Sequence, residues 1–334
     1  MKKSDADDKS DAIQSRMSKT AKIIARNLMK CVLTYRKDLS EMLDKLAYRE
    51  GMTRTEAKLW LNSPTPPEVQ MDLMQKAKES GDFERYRKTL LSYNYNKRKA
   101  LLMALEIHLR KYADYIRKGI VPVFTDTAYE AYGRAWYEIQ KGARVGFTMT
   151  AFPVKTLQET LSGHMNYTFT TYLTAQTIGK PLKDALFKGI LTGSGWRSIS
   201  KEISEVTGVI PWKAKAIART SLTEIANNVE AQTLDEAGLK NYRYMCTLDE
   251  RTCPVCGALD GKMFPVKEGR IGVNRPPMHP NCRCTTTAAF TKDTLAVFQR
   301  SAKNERGKWI TLDGSITYEE WSRRYLKGKR QPLE

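Results

Sequence analysis

The chain predicts a mainly α protein: a multi-helical N-terminal and central region, followed near the C-terminus by a small zinc-stabilised β module of α+β character. Three observations carry that expectation. Apolar residues recur at steps of three and four over roughly the first 240 residues. The period then changes to strict alternation at Tyr242, Tyr244, Cys246 and Leu248. Two close pairs of soft metal donors, Cys253/Cys256 and His279/Cys282, bracket the loop beyond.

Residues 1–11 are polar with almost nothing to bury, and disorder is expected there. A helical N-terminal region then spans 12–150. From Ile13 to Tyr48 the positions Ile24, Leu28, Cys31/Val32, Tyr35, Leu39, Leu43 and Leu46 mark one long amphipathic helix, with Cys31 a small core residue. The Pro-rich stretch 62–67 cannot continue a helix and reads as a loop. A second block, Glu68 to Gly119, carries Leu101, Leu105, His108, Tyr112 and Ile116 on one face. A third begins near Thr125 or Asp126 as N-cap and carries Tyr129, Tyr132, Trp136, Ile139 and Ala143. Such rings beside Arg134, Lys141 and Arg144 suit base stacking, but a stripe at helical spacing is usually core, and core is the favoured reading. His108 and His164 read as core or interface histidines rather than catalysts.

The next region, 151–292, continues with Leu157, Leu161, Met165, Phe169 and Tyr172, then short helices around Leu182–Leu191 and Trp196–Val206 separated by a Gly-rich turn. Pro211 sits in the first turn of a helix that runs to Ala237, with Gly238 as its C-terminal cap. On it Thr220, Glu224 and Asn228 recur four apart and share a face, with Arg219 adjacent. The favoured reading is a structural polar network. Acid–base chemistry normally needs a partner group, and no second carboxylate or free histidine stands at a companion spacing. The alternating strand delivers Cys253; Leu259-Asp260-Gly261-Lys262 reads as a tight hairpin turn into Met263-Phe264, and a polar loop leads to His279.

A Cys-x-x-Cys bend aims two thiolates at one ion, and His-x-x-Cys answers from the other side, so Cys253, Cys256, His279 and Cys282 are the expected zinc ligands, with Cys284 in reserve. The alternatives are a disulfide, a redox pair, or unpaired thiols that only look paired. A disulfide needs an oxidising compartment, whereas Met1-Lys2-Lys3-Ser4-Asp5 leads into polar residues with no apolar leader. A redox pair needs its first thiol at a helix N-terminus, and Gly257 with Asp260-Gly261 reads as turn chemistry that leaves no room for a helix. A sheet this small is marginal alone, and tightly held zinc supplies folding free energy on the order of 10 kcal/mol.

Lys plus Arg number 56 against 37 Asp plus Glu, a formal charge of +19. An excess of that size favours an acidic partner, here double-stranded DNA bound non-specifically, with a basic surface kept for solubility as the bland alternative. The region 293–334 is basic and carries a capping box, Thr317 to Glu320, before Trp321 and a short helix. Arg323, Arg324, Lys327, Lys329 and Arg330 beyond it suit phosphates weakly, or simply a solvated terminus. No apolar run approaches the ~20 residues that cross a bilayer, so no membrane partner is expected.

The order Arg219-Thr220, Glu224, Asn228, Gly238, an aromatic strand, Asp249-x-Arg251-Thr252-Cys253-x-x-Cys256, Leu259-Asp260-Gly261 and His279-Pro280-x-Cys282-Arg283-Cys284 resembles the phage Mu F-like minor head proteins, also called the phage head morphogenesis family. The resemblance is specific from about Pro211 to Thr287 and puts the Mu F-like module within 151–292, with the strand and zinc knuckle at 241–287. It implies a virion component assembled in the host bacterial cytoplasm: a portal-associated minor head protein that meets capsid or scaffold proteins and contacts or accompanies the genome. A zinc-knuckle nuclease, or a non-specific DNA-binding protein outside phages, is the alternative.

Overall fold

The computed structural model describes residues 5–81, 83–143, 178–290 and 298–326. The expected boundaries near 150 and 292, His164, and Lys327, Lys329 and Arg330 lie outside the described residues. Two compact units form, one from Ala21–Ile120 with Gly163–Ala214, the other from Met1–Thr20, Val121–Ser162 and Lys215–Glu334. The protein is mainly helical, and among the described residues the small sheets lie in the second of these units.

In the first unit the long α1 (Asp5–Lys45) buries Ile24, Leu28, Cys31, Val32, Tyr35, Leu39 and Leu43, the stripe expected from its spacing. Its start lies inside the stretch expected to be disordered. A helix nucleated downstream extends at the gain of one hydrogen bond per residue fixed, so a polar extension costs little. The stripe packs on α5 (Lys97–Ala143), where Tyr35 meets the His108 ring edge-on at 5.7 Å and the Thr34 hydroxyl donates to Tyr112 Oη at 3.1 Å. His108 is therefore a core histidine. Burial presses its pKa down, and Asp38 at 3.4 Å opposes that.

Between these helices, α2 (Arg54–Asn62) starts at a Thr53–Glu56 capping box, and α3 (Pro67–Glu79) starts on a proline after the Pro-rich loop. The short α4 (Phe83–Leu90) follows. The helices α6 (Lys180–Leu191) and α7 (Trp196–Glu205) complete this unit around a turn at Gly193, whose carbonyl accepts from Gly51 N–H at 2.8 Å.

The expected break between Gly119 and a cap at Thr125 or Asp126 is not there. α5 runs unbroken through Gly119 and Pro122. A β-carbon at Gly119 would stand 2.9 Å from Ile23 Cγ2, so this glycine serves close helix packing rather than termination. Pro122 forfeits one helical hydrogen bond, a cost of about 3 kcal/mol; burial of Ile116, Ile120, Val123 and Phe124 around it offsets that. Of the aromatic stripe, Tyr132, Trp136 and Ile139 are buried as core, while Tyr129 stays half exposed.

The second unit is organised by α8 (Ile210–Glu236), closed by Gly238 at φ +72° with Leu239 N–H returning to the Leu234 carbonyl at 2.9 Å. β1 (Asn241–Met245) is the central strand of an antiparallel sheet ordered β2-β1-β3, with β2 at Met263–Pro265 and β3 at Thr285–Ala288. Tyr242 pairs with Phe264 on one side and Ala288 on the other. Tyr242, Tyr244, Cys246 and Leu248 are all buried, as the alternation required.

Residues 298–326, expected as a basic tail with a short helix, form more than that. β4 (Gln299–Lys303) and β5 (Trp309–Asp313) make a hairpin, and α10 (Tyr318–Tyr325) follows from the expected Thr317–Glu320 capping box. Leu248 bridges to Ala302, and Trp321, 1% exposed, packs among Tyr244, Cys246, Leu248 and the cysteines. Arg323 and Arg324 are exposed on α10, whose Trp321 completes the core, while Arg300 of β4 is buried.

Candidate metal centre

The approach to Cys253 is set by Asp249. Its carboxylate accepts from Arg251 N–H at 3.0 Å, closing an Asx turn, and its backbone carbonyl accepts from Thr252 N–H at 3.2 Å. Cys253 then caps a short helix, α9 (Pro254–Leu259), its sulfur accepting from Cys256 N–H at 3.4 Å. The sequence reading left no room for a helix here. Pro254 supplies the fixed φ of a first helical position, and one turn and a half fits before Asp260-Gly261 ends it. The same turn, expected as a hairpin, joins α9 to β2 instead. A cysteine at a helix N-terminus is also the setting of a reactive thiol, but here both thiols of the bend face further donors.

Those donors come from the segment before β3. His279 Nε2 lies 3.3 Å from Cys253 Sγ and 3.5 Å from Cys256 Sγ, and Cys256 Sγ lies 4.0 Å from Cys282 Sγ. Ligands on a tetrahedral zinc ion stand about 3.6 Å apart for S and N and about 3.8 Å for two sulfurs, from bond lengths of about 2.0–2.3 Å. His279 Nδ1 is 2.8 Å from the Pro280 carbonyl, a contact that with the proton on Nδ1 turns the Nε2 lone pair to the thiols. Cys253, Cys256 and His279 form one group able to hold a metal ion, and Cys256, Cys282 and Cys284 form a second. Cys256 belongs to both, so Cys282 and Cys284 both remain candidates for the fourth position.

The thiols compete for negative charge. Hydrogen bonds from Cys256 and Cys284 hold Cys282 below the ordinary thiol range, and the same contacts hold Cys256 above it. A divalent cation removes that conflict, because each thiolate then faces the metal charge. Each of the two three-donor groups thus fits a metal ion by its spacing, and the thiol cluster fits one by its chemistry. Tyr244 Oη donates to Cys256 Sγ at 3.4 Å from beneath.

Two buried carboxylates brace the cluster, and neither is expected as a brace from sequence. Asp249, 1% exposed, is gripped by both terminal nitrogens of Arg283, which stands between Cys282 and Cys284. Burial alone would raise this carboxyl, but hydrogen bonds and charge from Arg283, with Arg251 adding, keep it below the usual range. Asp260, also 1% exposed, accepts from Cys246 N–H at 2.6 Å, Tyr318 N–H at 2.7 Å and Arg300 Nη1 at 3.0 Å. Arg300 donates on to the Cys246 carbonyl at 2.6 Å. One ion pair therefore joins β1, the end of α9, β4 and the start of α10.

The polar face of α8 differs in register from the expected set. Thr220 accepts from Asn281 N–H at 3.0 Å, and Thr223 donates to the Cys282 carbonyl at 3.2 Å. Asn227 accepts from the Thr286 hydroxyl at 3.4 Å, and Glu230 from the Thr285 hydroxyl at 3.4 Å and Arg134 at 3.5 Å. The face that meets the ligand segment and β3 is thus 220, 223, 227 and 230. Glu224 lies near enough to Arg275 for their charges to interact, and Asn228 is half-buried beside it. Arg219 lies close to Arg283, Arg251 and Asp249; burial and the two like charges depress its pKa. Arg323 and Arg324 are on α10, Arg323 pairing with Glu319.

Comparison with known proteins agrees with the motif order. Residues 180–287 match the family model described as Phage Mu protein F like protein, which bears out the resemblance over α6 to β3. A Haemophilus influenzae protein described only as uncharacterized is 22% identical over 134 residues, 38% of this chain and 30% of that protein. The chain therefore spans less than a third of that relative. No solved structure matches. Among the described residues no helix is long and apolar enough to cross a membrane.

Proposed function

We propose, from the Mu F-like segment at residues 180–287, that this chain is a minor head protein of a tailed bacteriophage. The single observation that carries the reading is that the matched segment ends in β3 and contains all five clustered Cys and His donors together with the helix that hydrogen-bonds to them. In this reading the protein joins the portal in few copies, meets capsid or scaffold proteins during procapsid assembly in the host cytoplasm, and stays in the virion. Its +19 charge supports non-specific contact with double-stranded DNA, to which Arg323, Arg324, Lys327, Lys329 and Arg330 contribute weakly.

Zinc is the metal that this donor set suits, since three cysteines and a histidine make a closed structural site. Its work is to hold the loop before β3 against α9. The role is architectural and not enzymatic: Glu224 acts with Arg275, and the only histidine in the cluster is a metal donor. Quantitative mass spectrometry of purified virions tests the proposal. It expects the chain at few copies relative to the major capsid protein; absence from both virions and portal-containing procapsids overturns it.

A further inference from the structure

Three guanidinium groups from three different segments gather around one carboxylate beside the metal centre. Arg283 lies on the ligand segment and takes both oxygens of the buried Asp249. Arg251 belongs to the Asx turn, reaches Asp249 only at 3.7 Å, and its side chain is 64% exposed. Arg219 lies on α8 one residue before Thr220, whose hydroxyl holds Asn281 at 3.0 Å, and so stands beside the segment that carries Arg283. Among the described residues the Arg219 side chain makes no hydrogen bond or ion pair, although it is only partly exposed. Three positive charges therefore answer one negative charge, and the donors of Arg219 and most of those of Arg251 are uncommitted.

Clustered guanidiniums repel one another, and holding them rigidly together stabilises the chain only if an anion joins them. Arginine forks match phosphate oxygens in pairs, and the positions here are fixed by a helix, a turn and a metal-braced loop rather than by mobile side chains alone. We infer that Arg219, Arg251 and Arg283 form a phosphate clamp that takes the backbone phosphodiesters of duplex DNA. This rests on the reading that the chain contacts DNA and names the place of that contact. A polyanion is favoured over an isolated acidic side chain because the whole chain carries +19, a field that draws an extended negative partner to the clamp. No base-reading contact is implied, so the clamp positions DNA without selecting sequence.

The test is fluorescence anisotropy of a labelled duplex of arbitrary sequence, titrated with the full chain across a salt series. Arg283 is spared because it also braces the ligand segment. The double variant Arg219→Gln/Arg251→Gln is compared with Lys58→Gln/Lys111→Gln, which removes two exposed charges from the other unit. Each lost phosphate contact removes a factor that scales as about the 0.9 power of salt, so the arginine variant should bind roughly 60-fold more weakly near 0.1 M salt and flatten the log–log slope by about 2. The lysine variant should change little, and Arg251→Gln alone, at an exposed position, should give about half the change in slope with unaltered zinc content.

Equal losses in both double variants, or none in the arginine variant, overturn the clamp and leave DNA contact standing. Unchanged duplex binding with lost affinity for a labelled polyglutamate peptide assigns the arginines to a carboxylate ligand and also overturns it. No duplex binding by the unmodified chain, even at low salt, overturns both the clamp and the DNA contact.

Discussion

Replacing the shared thiol of the cluster gives the sharpest test of the metal centre. Cys256 is within reach of both donor groups, 3.5 Å from His279 Nε2 and 4.0 Å from Cys282 Sγ, and only 1% exposed. Three of the six edges of a Cys253, Cys256, His279, Cys282 tetrahedron already match zinc to within a few tenths of an ångström. Cys256→Ser should therefore abolish metal binding. Cys282→Ser should abolish it too, whereas Cys284→Ser should keep about one zinc per chain.

The loss is large on the scale of the module. Structural zinc contributes on the order of 10 kcal/mol, against a total stability of about 5–15 kcal/mol for a typical domain. The sheet beside the candidate centre has only three strands, the shortest of three residues, and the core packed against it includes four of the cysteines. Metal-free protein should lose amide-exchange protection across β1 to α10 while the helical segments within Ala21–Ile120 stay protected. Atomic emission on reductively purified protein reads the stoichiometry, and hydrogen-exchange mass spectrometry reads the location. A zinc-free sample with β1 to β3 still protected refutes the argument. So does metal lost by Cys284→Ser and kept by Cys282→Ser, which would move the fourth ligand to Cys284.

Further predictions address the braces. Asp260→Asn leaves Arg300 buried without its counter-charge and sets an amide against three donors; chemical denaturation should show a loss of about 3–5 kcal/mol, and a loss below about 1 kcal/mol would mean that the pair is not the joint described. Glu230 is buried, and desolvation raises its pKa to about 8, partly opposed by Arg134. The folded state thus holds this proton more tightly than the unfolded one, so its contribution to stability is full below about 4.5 and is lost as pH rises through about 8. The difference in Tm between Glu230→Gln and the unmodified chain should grow in favour of the variant from pH 5 to about pH 8, and a constant difference would show that Glu230 does not titrate in that window. Glu224→Gln should leave any nuclease background in Mg²⁺ or Mn²⁺ unchanged and lower Tm; abolished cutting in a folded variant would favour the nuclease alternative instead.

How far these features were legible depended on whether they are written in one period or in two distant places. The α1 stripe from Ile24 to Leu43 could be read because every contact follows one helical repeat. Gly119 and the cap residues Thr125 and Asp126 suggest a break because local rules favour one there, while burial of Ile116, Ile120 and Phe124 keeps α5 continuous. At Cys253 the signal was present: an extended residue followed by proline is a helix entry, and Gly257 was weighed too heavily against it. On α8, steps of four selected Thr220, Glu224 and Asn228, whereas alternating steps of three and four select Thr223, Asn227 and Glu230, the residues that meet the ligand segment and β3.

Asp260 and Asp249 mark where reading along the chain stops. Asp260 is placed at a turn, since Asp before Gly is a local signal, whereas Asp249 enters only as part of the motif order. Their second role comes from arginines 40 and 34 residues away, Arg300 and Arg283, and no spacing rule predicts which distant cation enters a core. Arg283 joins the donor cluster to the arginine cluster. It stands between two candidate ligands, it neutralises the carboxylate that shapes the turn before Cys253, and it leaves Arg219 and Arg251 with charge to spare. The candidate metal centre and the proposed phosphate clamp share one segment, 279–284, so a substitution that disorders this segment is expected to weaken both.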